Sequence, residues 1–221
     1  MANMGETERT RLRREPTRAV KDQQVLYRII DESLVCHVGF VVDARPVVIP
    51  TLGWRVGDDI YIHGSRGSRM LTVFETGGEA SITFTLLDGL VMARSAFHHS
   101  ANYRSVVVFG KPERVEDRQT KLDVMKVFMD NIAPGRWDEL RATNDKEIKA
   151  TDVYKLSLNE TSVKVRTGDP IDDKADMTHP VWAGVIPIQR QFGPSVNAAD
   201  NLDGQTAPDF SAVFSGPWKD A

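Results

Sequence analysis

The chain has only one cysteine, Cys36, which excludes an intrachain disulfide and a metal cluster built on several thiolates. This scarcity indicates a reducing compartment. No apolar run approaches the roughly 18–20 residues that a membrane-spanning helix needs, and the N-terminal stretch lacks the apolar core of a signal peptide. We therefore expect a cytoplasmic protein without a membrane partner.

An excess of charge of one sign is also absent. The 28 lysines and arginines against 31 aspartates and glutamates give a net charge of −3, which argues against a nucleic acid held by bulk charge. The sequence contains no GxxxxGK[ST] or GxGxxG loop and no GxSxG nucleophile elbow. What is present is the composition of an ordinary globular protein, with 41% hydrophobic residues that are enough for a core.

The chain divides into three parts by composition. Residues 1–20 form a basic arm with five arginines, residues 21–187 hold the periodic apolar segments of one domain, and residues 188–221 are predicted to be a tail. The arm suits contact with RNA or with another subunit, or it is a solvated flank of the first helix.

Short apolar runs separated by turn residues predict strands through most of the domain. Residues 34–42 and 46–52 flank a turn, and Ala80–Leu87 alternates apolar with polar residues before the hairpin signal Asp88–Gly89. Helical spacing predicts three helices, over residues 21–33, 68–76 and 117–132. We predict a mainly β fold, an antiparallel barrel of six or seven strands, with a short helix after a glycine-bearing loop and a longer helix before the last strands.

The segment Tyr61–Met70 runs from a strand through that loop to the start of a helix. It offers serine hydroxyls, backbone N–H groups and the guanidinium groups of Arg66 and Arg69, all of which suit an anionic phosphate. Glycine-rich loops before helices are more often simple caps, so both interpretations stay open.

Polar and aromatic residues also crowd the segment Phe97–Ser105, directly before an apolar strand. Strand periodicity places Tyr103 and Ser105 on one face and Arg104 among valines on the other, unless it reaches a partner or the sheet rim. This density favours a site or an interface. We expect no metal site here, because the adjacent His98 and His99 would point to opposite faces and no carboxylate has ligand spacing.

Four segments together carry a family resemblance: Val47–Thr51, Ile62–Met70, Asn102–Gly110 and Ser162–Gly168. Their order over residues 17–187 resembles the FMN-binding split barrel of the pyridoxamine 5′-phosphate oxidase-like family, and within it the nitroimidazole-resistance (Nim-like) branch. The resemblance implies a split β-barrel and a homodimer that holds flavin between its subunits.

The resemblance also implies which residues bind the flavin phosphate. Ser68 and Arg69 match the family's Ser-Arg pair, which contacts that phosphate, and Gly64 and Ser65 precede them in the same loop. Met70 stands where the oxidases often have a lysine, so one phosphate contact is missing here.

Further contacts are expected around the flavin ring and ribityl chain. The edge of the isoalloxazine would be lined by Val48, Ile49, Pro50 and Thr51, of which Thr51 lies near the position of a second oxidase lysine. Ser105 matches a position where the oxidases have a flavin-contacting glutamine. The remaining expected contacts come from the same strand, from the basic last strand and from the partner chain: Tyr103, Arg104, Lys164, Arg166 and Trp182.

Without the oxidase lysines, this chain is not expected to oxidise pyridoxamine phosphate. The resemblance instead implies an FMN-dependent oxidoreductase, with FAD as an alternative flavin, that passes electrons from NAD(P)H to a nitroaromatic, a quinone or a similar small electrophile. His63 corresponds to a histidine that resembles an active-site residue in Nim-like proteins. It would hand a proton to the reduced substrate, or it would only donate a hydrogen bond to the phosphate or ribityl chain.

Three other hypotheses stay open. The protein could bind flavin without turnover, as a store or a redox sensor. It could be a split barrel that holds haem or the deazaflavin F420 in place of FMN, with His98 or His99 as an iron ligand. The basic arm could bind nucleic acid, although the net negative charge argues against it.

Overall fold

The structure is a computed structural model that describes residues 7–190 and 192–207. This part of the chain contains five α-helices, α1 (Gln23–Glu32), α2 (Arg69–Glu75), α3 (Arg118–Ile132), α4 (Arg136–Glu139) and α5 (Asp145–Ala150). Its ten strands are β1 (Cys36–Val42), β2 (Arg45–Thr51), β3 (Gly53–Val56), β4 (Asp59–Ser65), β5 (Ala80–Met92), β6 (Ser100–Gly110), β7 (Glu113–Arg114), β8 (Thr151–Ser157), β9 (Thr161–Arg166) and β10 (Gly184–Pro187). None of its helices is long and apolar enough to cross a membrane.

The strands form two antiparallel sheets that do not close on each other, as in a split barrel. The larger sheet has the order β2-β1-β5-β6-β9, with β10 added beside β5, and the smaller sheet has the order β3-β4-β8-β7. Alternate residues of β1 and β5 are buried, for example Val38 and Phe84, and they pack with α1 and α2 into the main core. The predicted fold class is confirmed, although short strands such as β7 and β10 raise the number of strands.

One predicted hairpin is wrong. Asp88 and Gly89 do not form a turn, because β5 continues through them as one strand with a bulge between Leu87 and Gly89. Gly89 serves a different purpose: a Cβ there would lie 3.1 Å from the carbonyl oxygen of Ile186, so glycine lets β10 approach. The Asp88 side chain is bound by Arg104 of the next strand.

The three predicted helices are confirmed, and each begins at a capping side chain. The carboxylate of Asp22 accepts a hydrogen bond from the Gln24 N–H, and that of Asp117 accepts one from the Thr120 N–H at 2.7 Å. Ser68 caps α2 in the same way. Helix α3 covers the outer side of the smaller sheet, where Phe128 packs with Trp54 in a second core cluster.

The N-terminal segment from residue 7 lies against the barrel. Thr7 and Arg9 both donate to the Glu160 carboxylate, Arg9 also pairs with Glu79, and the Val20 N–H donates to Val163 of β9. Residues 1–6 of the predicted arm and residues 208–221 of the predicted tail lie outside the described residues. The described part of the predicted tail, residues 188–190 and 192–207, contains no helix or strand.

Candidate functional site

The outer face of the larger sheet brings several predicted cofactor contacts together. Cross-strand partners share a face in an antiparallel pair, and the register pairs Tyr103 with Arg166 and Ser105 with Lys164. Through β5 and β1 the same face extends to Val48 and Pro50 on β2. Ile49 and Thr51 alternate with these two residues and stand opposite the buried Val38 and Cys36, so they face the core.

Arg166 is a buried cation without a carboxylate partner among the described residues. Only 8% of the residue is exposed, and its guanidinium donates to the Asn102 side-chain oxygen and to the carbonyls of Gly168 and Asp169, at 3.2 Å each for the carbonyls. Burial lowers the pKa of Arg166, and the nearby Arg18 lowers it further. An arginine that stays charged in such surroundings favours an anionic ligand beside it.

Arg104 does reach a partner, as its position among valines requires. Its guanidinium binds both oxygens of Asp88 at 2.9 Å and one oxygen of Glu32 at 2.5 Å. These carboxylates hold Arg104 on the face opposite to Tyr103 and Ser105. The structure therefore does not bring Arg104 together with the other predicted contacts, and its guanidinium instead neutralises the buried Glu32 and the half-buried Asp88.

The loop between β4 and α2 presents two unmatched arginines. Arg66 and Arg69 are exposed, and neither guanidinium has a protein partner within the described residues. The Ser68 side chain accepts a weak hydrogen bond from the Leu71 N–H at 3.4 Å, so its hydroxyl proton is free to donate. Because α2 has only seven residues, we attribute the positive charge of this loop to its arginines rather than to a helix dipole.

Glycine and methionine in this loop serve packing. A Cβ on Gly64 would lie 3.2 Å from the Leu71 side chain, so glycine lets α2 approach β4. Met70 is 5% exposed and belongs to the main core. Ser65 is exposed at the end of β4, on the same loop as Arg69.

His63 lies on the outer side of the smaller sheet, beneath α3. Its ring packs 5.8 Å from Trp54 and 5.4 Å from Phe128, measured between centroids. Its Nδ1 is buried and has no hydrogen-bond partner, and burial lowers the pKa of the imidazole. The ring is therefore mainly neutral at pH 7, and the sheet register does not bring it to the face that holds Tyr103 and Arg166.

A second group of candidate ligands lies at one end of the larger sheet. His99 Nδ1 is 2.8 Å from the Ser95 carbonyl oxygen, while His98 Nε2 is 3.4 Å from Asp173. Because a carbonyl can only accept, His99 Nδ1 carries the proton and Nε2 of the neutral ring is free to act as a ligand. Two aromatic side chains near these histidines are exposed. Phe97, which directly precedes His98, is 98% exposed, and Trp182, which precedes β10, is 63% exposed.

The register explains why these residues are neighbours. Ser100, which follows His99, pairs with Val91 of β5, and the next residue of β5, Met92, pairs with Gly184 of β10. The Trp182 ring lies so close to Gly184 that an added Cβ would come within 2.9 Å of it. The sequence indicated His98 and His99 as candidate ligands, but only the sheet pairing shows that Trp182 lies at the same end of the sheet.

His98, Asp173 and Asp176 also place one ligand atom each within 4.8 Å of one another. Asp173 is exposed and Asp176 is half-buried, and acidic groups of this kind are common at protein surfaces. We assign no metal ion to them.

The two unclosed antiparallel sheets define a split β-barrel protein. The family model described as pyridoxamine 5′-phosphate oxidase matches residues 22–165, and the chain belongs to this family. The predicted family is thus confirmed. No curated protein matches the chain in sequence.

Solved structures extend the comparison over nearly the whole chain. The flavocytochrome Anf3 from Azotobacter vinelandii is 41% identical, with a TM-score of 0.88 over 92% of this chain and 94% of that one. An FAD- and haem-binding protein from Mycobacterium smegmatis is 34% identical, with a TM-score of 0.84 over 91% and 97%. A protein from Bacteroides thetaiotaomicron that is described as a 5-nitroimidazole antibiotic resistance protein shares the fold. It is 22% identical, with a TM-score of 0.57 over 66% of this chain and 86% of that one.

Proposed function

We propose that this protein is a flavin-dependent oxidoreductase that also holds a haem. The observation that carries the flavin part is the buried, carboxylate-free guanidinium of Arg166 on the sheet face where Tyr103, Ser105 and Lys164 converge. The haem part is supported by the two relatives above 30% identity, one described as a flavocytochrome and the other as an FAD- and haem-binding protein.

The residues of the face and the loop fit a flavin. Ser65, Ser68 and Arg69 offer hydroxyl and guanidinium donors to a phosphate, and Lys164 and Arg166 offer a second positive region. Two such regions suit the longer FAD, which has two phosphate groups where FMN has one, and the mycobacterial relative is described as binding FAD, so we favour FAD over FMN. When bound, the flavin supplies hydride and single-electron chemistry, whereas the protein supplies orientation and charge.

The residues around His99 fit a haem. Its Nδ1–H is fixed by the Ser95 carbonyl, which orients the ring and leaves Nε2 for the iron. Phe97 and Trp182 expose apolar rings at the same end of the sheet, and a haem is itself a large apolar disc. His98 is the weaker candidate because Asp173 occupies its Nε2. A bound haem would supply one-electron storage and transfer.

We further propose a homodimer that takes electrons from NAD(P)H and reduces a small electrophile such as a quinone or a nitroaromatic. The outer face of the larger sheet exposes Val41, Val48 and Leu87, at 57%, 63% and 44%. Apolar side chains on a ligand-binding sheet face favour burial against a second copy. Such an acceptor suits this pair of redox groups, because both exchange electrons with small molecules.

The test is reconstitution followed by spectroscopy. The purified protein is titrated with FAD, FMN and haemin, and absorbance is recorded in the flavin and Soret regions. We expect both groups to bind, with a Soret band that His99→Ala shifts or abolishes and that His179→Ala, a change in another exposed histidine, leaves intact. If the protein binds flavin but never haem, the haem part of the proposal is wrong, and a flavin reductase or flavin store remains. Failure to bind either flavin would overturn the proposal, and reduction of bound flavin by NAD(P)H without turnover of any acceptor would favour the store.

A further inference from the structure

A charged, open cavity lies beside the loop between β4 and α2. Its volume is about 410 Å³, and it is bordered by β7, the first residues of α3, helix α5 and the start of β8. Arg66 lines it, whereas Ser68 and Arg69 do not. The Arg66 N–H donates to the Ala150 carbonyl at 3.0 Å, which fixes this part of the loop against the end of α5.

The floor of the cavity holds more positive than negative charge. Asp152 is 5% exposed and lies 2.7 Å from Arg114 Nη2 and 4.0 Å from Lys121 Nζ, so one carboxylate faces two cations. Lys121 also donates to the Thr151 carbonyl at 2.9 Å. The Nε–H of Arg114 is buried and has no acceptor within the described residues.

The rim adds cations that no protein carboxylate matches. Arg66 and Lys149 line the cavity without an ion-pair partner among the described residues. Arg118 pairs with Asp145 at 3.2 Å in an exposed contact, and Glu116 is 75% exposed at 3.7 Å from Arg114. Five cationic side chains thus share the cavity with three carboxylates, of which only Asp152 is buried.

We propose that this cavity binds the phosphate group of a small phosphorylated molecule, at a site separate from the flavin. Arginine and lysine donors around a dianion form charge-assisted hydrogen bonds, and Arg66 and Lys149 gain the anionic partner that they lack within the described residues. The volume accommodates a phosphate with a small attached group rather than a whole dinucleotide. The site does not depend on the proposed flavin chemistry, because none of the residues assigned to the flavin lines it.

Calorimetric titration of the flavin-loaded protein with inorganic phosphate and with adenosine monophosphate tests the proposal. We expect saturable binding that weakens roughly tenfold in Lys149→Gln and in Arg66→Gln, and more in the double variant, since each removes one charged donor. Lys146→Gln is the matched control, because Lys146 is exposed on the same helix but does not line the cavity. Tighter binding of the nucleotide would identify an ester as the natural ligand, and equal binding would identify free phosphate.

Three results would overturn the proposal. The first is no binding of either probe at millimolar concentration, and the second is an affinity that the double variant shares with Lys146→Gln. The third is binding seen only without flavin and lost when flavin is added, because the cavity would then be part of the flavin site. None of these results would affect the proposed flavin and haem binding, which is measured by absorbance.

Discussion

Arg104 and Glu32 form an ion pair between β6 and the end of α1, with Nη1 2.5 Å from Oε2. Glu32 is 1% exposed, and its second oxygen is buried without a hydrogen-bond partner within the described residues. Asp88 of β5 accepts from the same guanidinium, so a single arginine joins a helix and two neighbouring strands. The pKa of Arg104 is raised, mainly by its hydrogen bond to Asp88, so the arginine stays charged.

This cluster predicts a large loss of stability when its cation is removed. Arg104→Gln leaves the buried Glu32 carboxylate facing Asp88 without a compensating charge, and breaking a buried pair from one side costs about 3–5 kcal/mol. Urea unfolding followed by circular dichroism measures the change. Arg45→Gln, an exposed change on β2, should alter the free energy of unfolding by less than about 0.5 kcal/mol. A small effect of Arg104→Gln would mean that Glu32 is protonated or solvated.

Arg166 predicts a large effect on flavin binding and a small effect on folding. Arg166→Gln removes a buried charge that no carboxylate balances, yet keeps a polar group near Asn102. We expect the flavin dissociation constant to rise roughly tenfold or more, because a charged hydrogen bond is worth about 1.5–3 kcal/mol. The unliganded protein should lose little stability. Flavin titration by fluorescence quenching and thermal melting of the apoprotein measure the two effects, and an unchanged flavin affinity would contradict the assignment of Arg166.

The order of elements could be predicted because local signals agreed with the final fold. Capping residues such as Ser68 and Asp117 and the alternation in β5 indicate elements without knowledge of their neighbours. The need of Arg104 for a partner could be foreseen from its position among valines, but its pairing with Glu32 could not, since Glu32 is 72 residues away in the chain. Helix α5 was missed although Asn144 and Glu147 form a capping box, a signal that the sequence does carry.

What could not be predicted depends on pairing across the sheet. The Asp88–Gly89 pair is typical of a hairpin, but here Gly89 makes room for β10, a strand almost one hundred residues later in the chain. The grouping of Trp182 with His99 depends on the same pairing. His63 lies two residues before the end of β4, the strand that leads into the predicted phosphate loop. Yet α3 covers its ring, because long-range packing rather than local sequence decides which face is buried.

The lowered pKa of His63 predicts a contribution to pH-dependent stability. The unfolded state takes up a proton near pH 6.5, whereas burial disfavours the protonated form in the folded state. The contribution is therefore fully present above about pH 6.5 and is lost as the pH falls through the lower folded pKa. His63→Phe, which keeps an aromatic ring against Trp54, should unfold with a smaller decrease in stability between pH 7.5 and pH 5.5. His37→Gln, an exposed change, should keep the full decrease.

The same variant tests whether His63 donates a proton during turnover. If it does, His63→Phe lowers the steady-state rate with a nitroaromatic or quinone acceptor much more than it lowers flavin affinity. If the ring only packs against Trp54 and Phe128, rate and affinity stay close to those of the unmodified protein. Comparing both quantities in one preparation separates the two roles.

The turn between β1 and β2 predicts a stabilising substitution. Asp43 and Ala44 form a two-residue hairpin loop with φ values of 48° and 58°, the left-handed conformation that aspartate tolerates and alanine does not favour. Ala44→Gly removes the steric conflict of the Cβ, although glycine also gains entropy in the unfolded chain. The net gain should be about 0.5–1 kcal/mol, measured by urea unfolding. Ala19→Gly, at a residue with φ of −69°, should destabilise instead, because there the glycine brings only its entropy cost. A loss of stability in Ala44→Gly would show that the loop is not left-handed in solution.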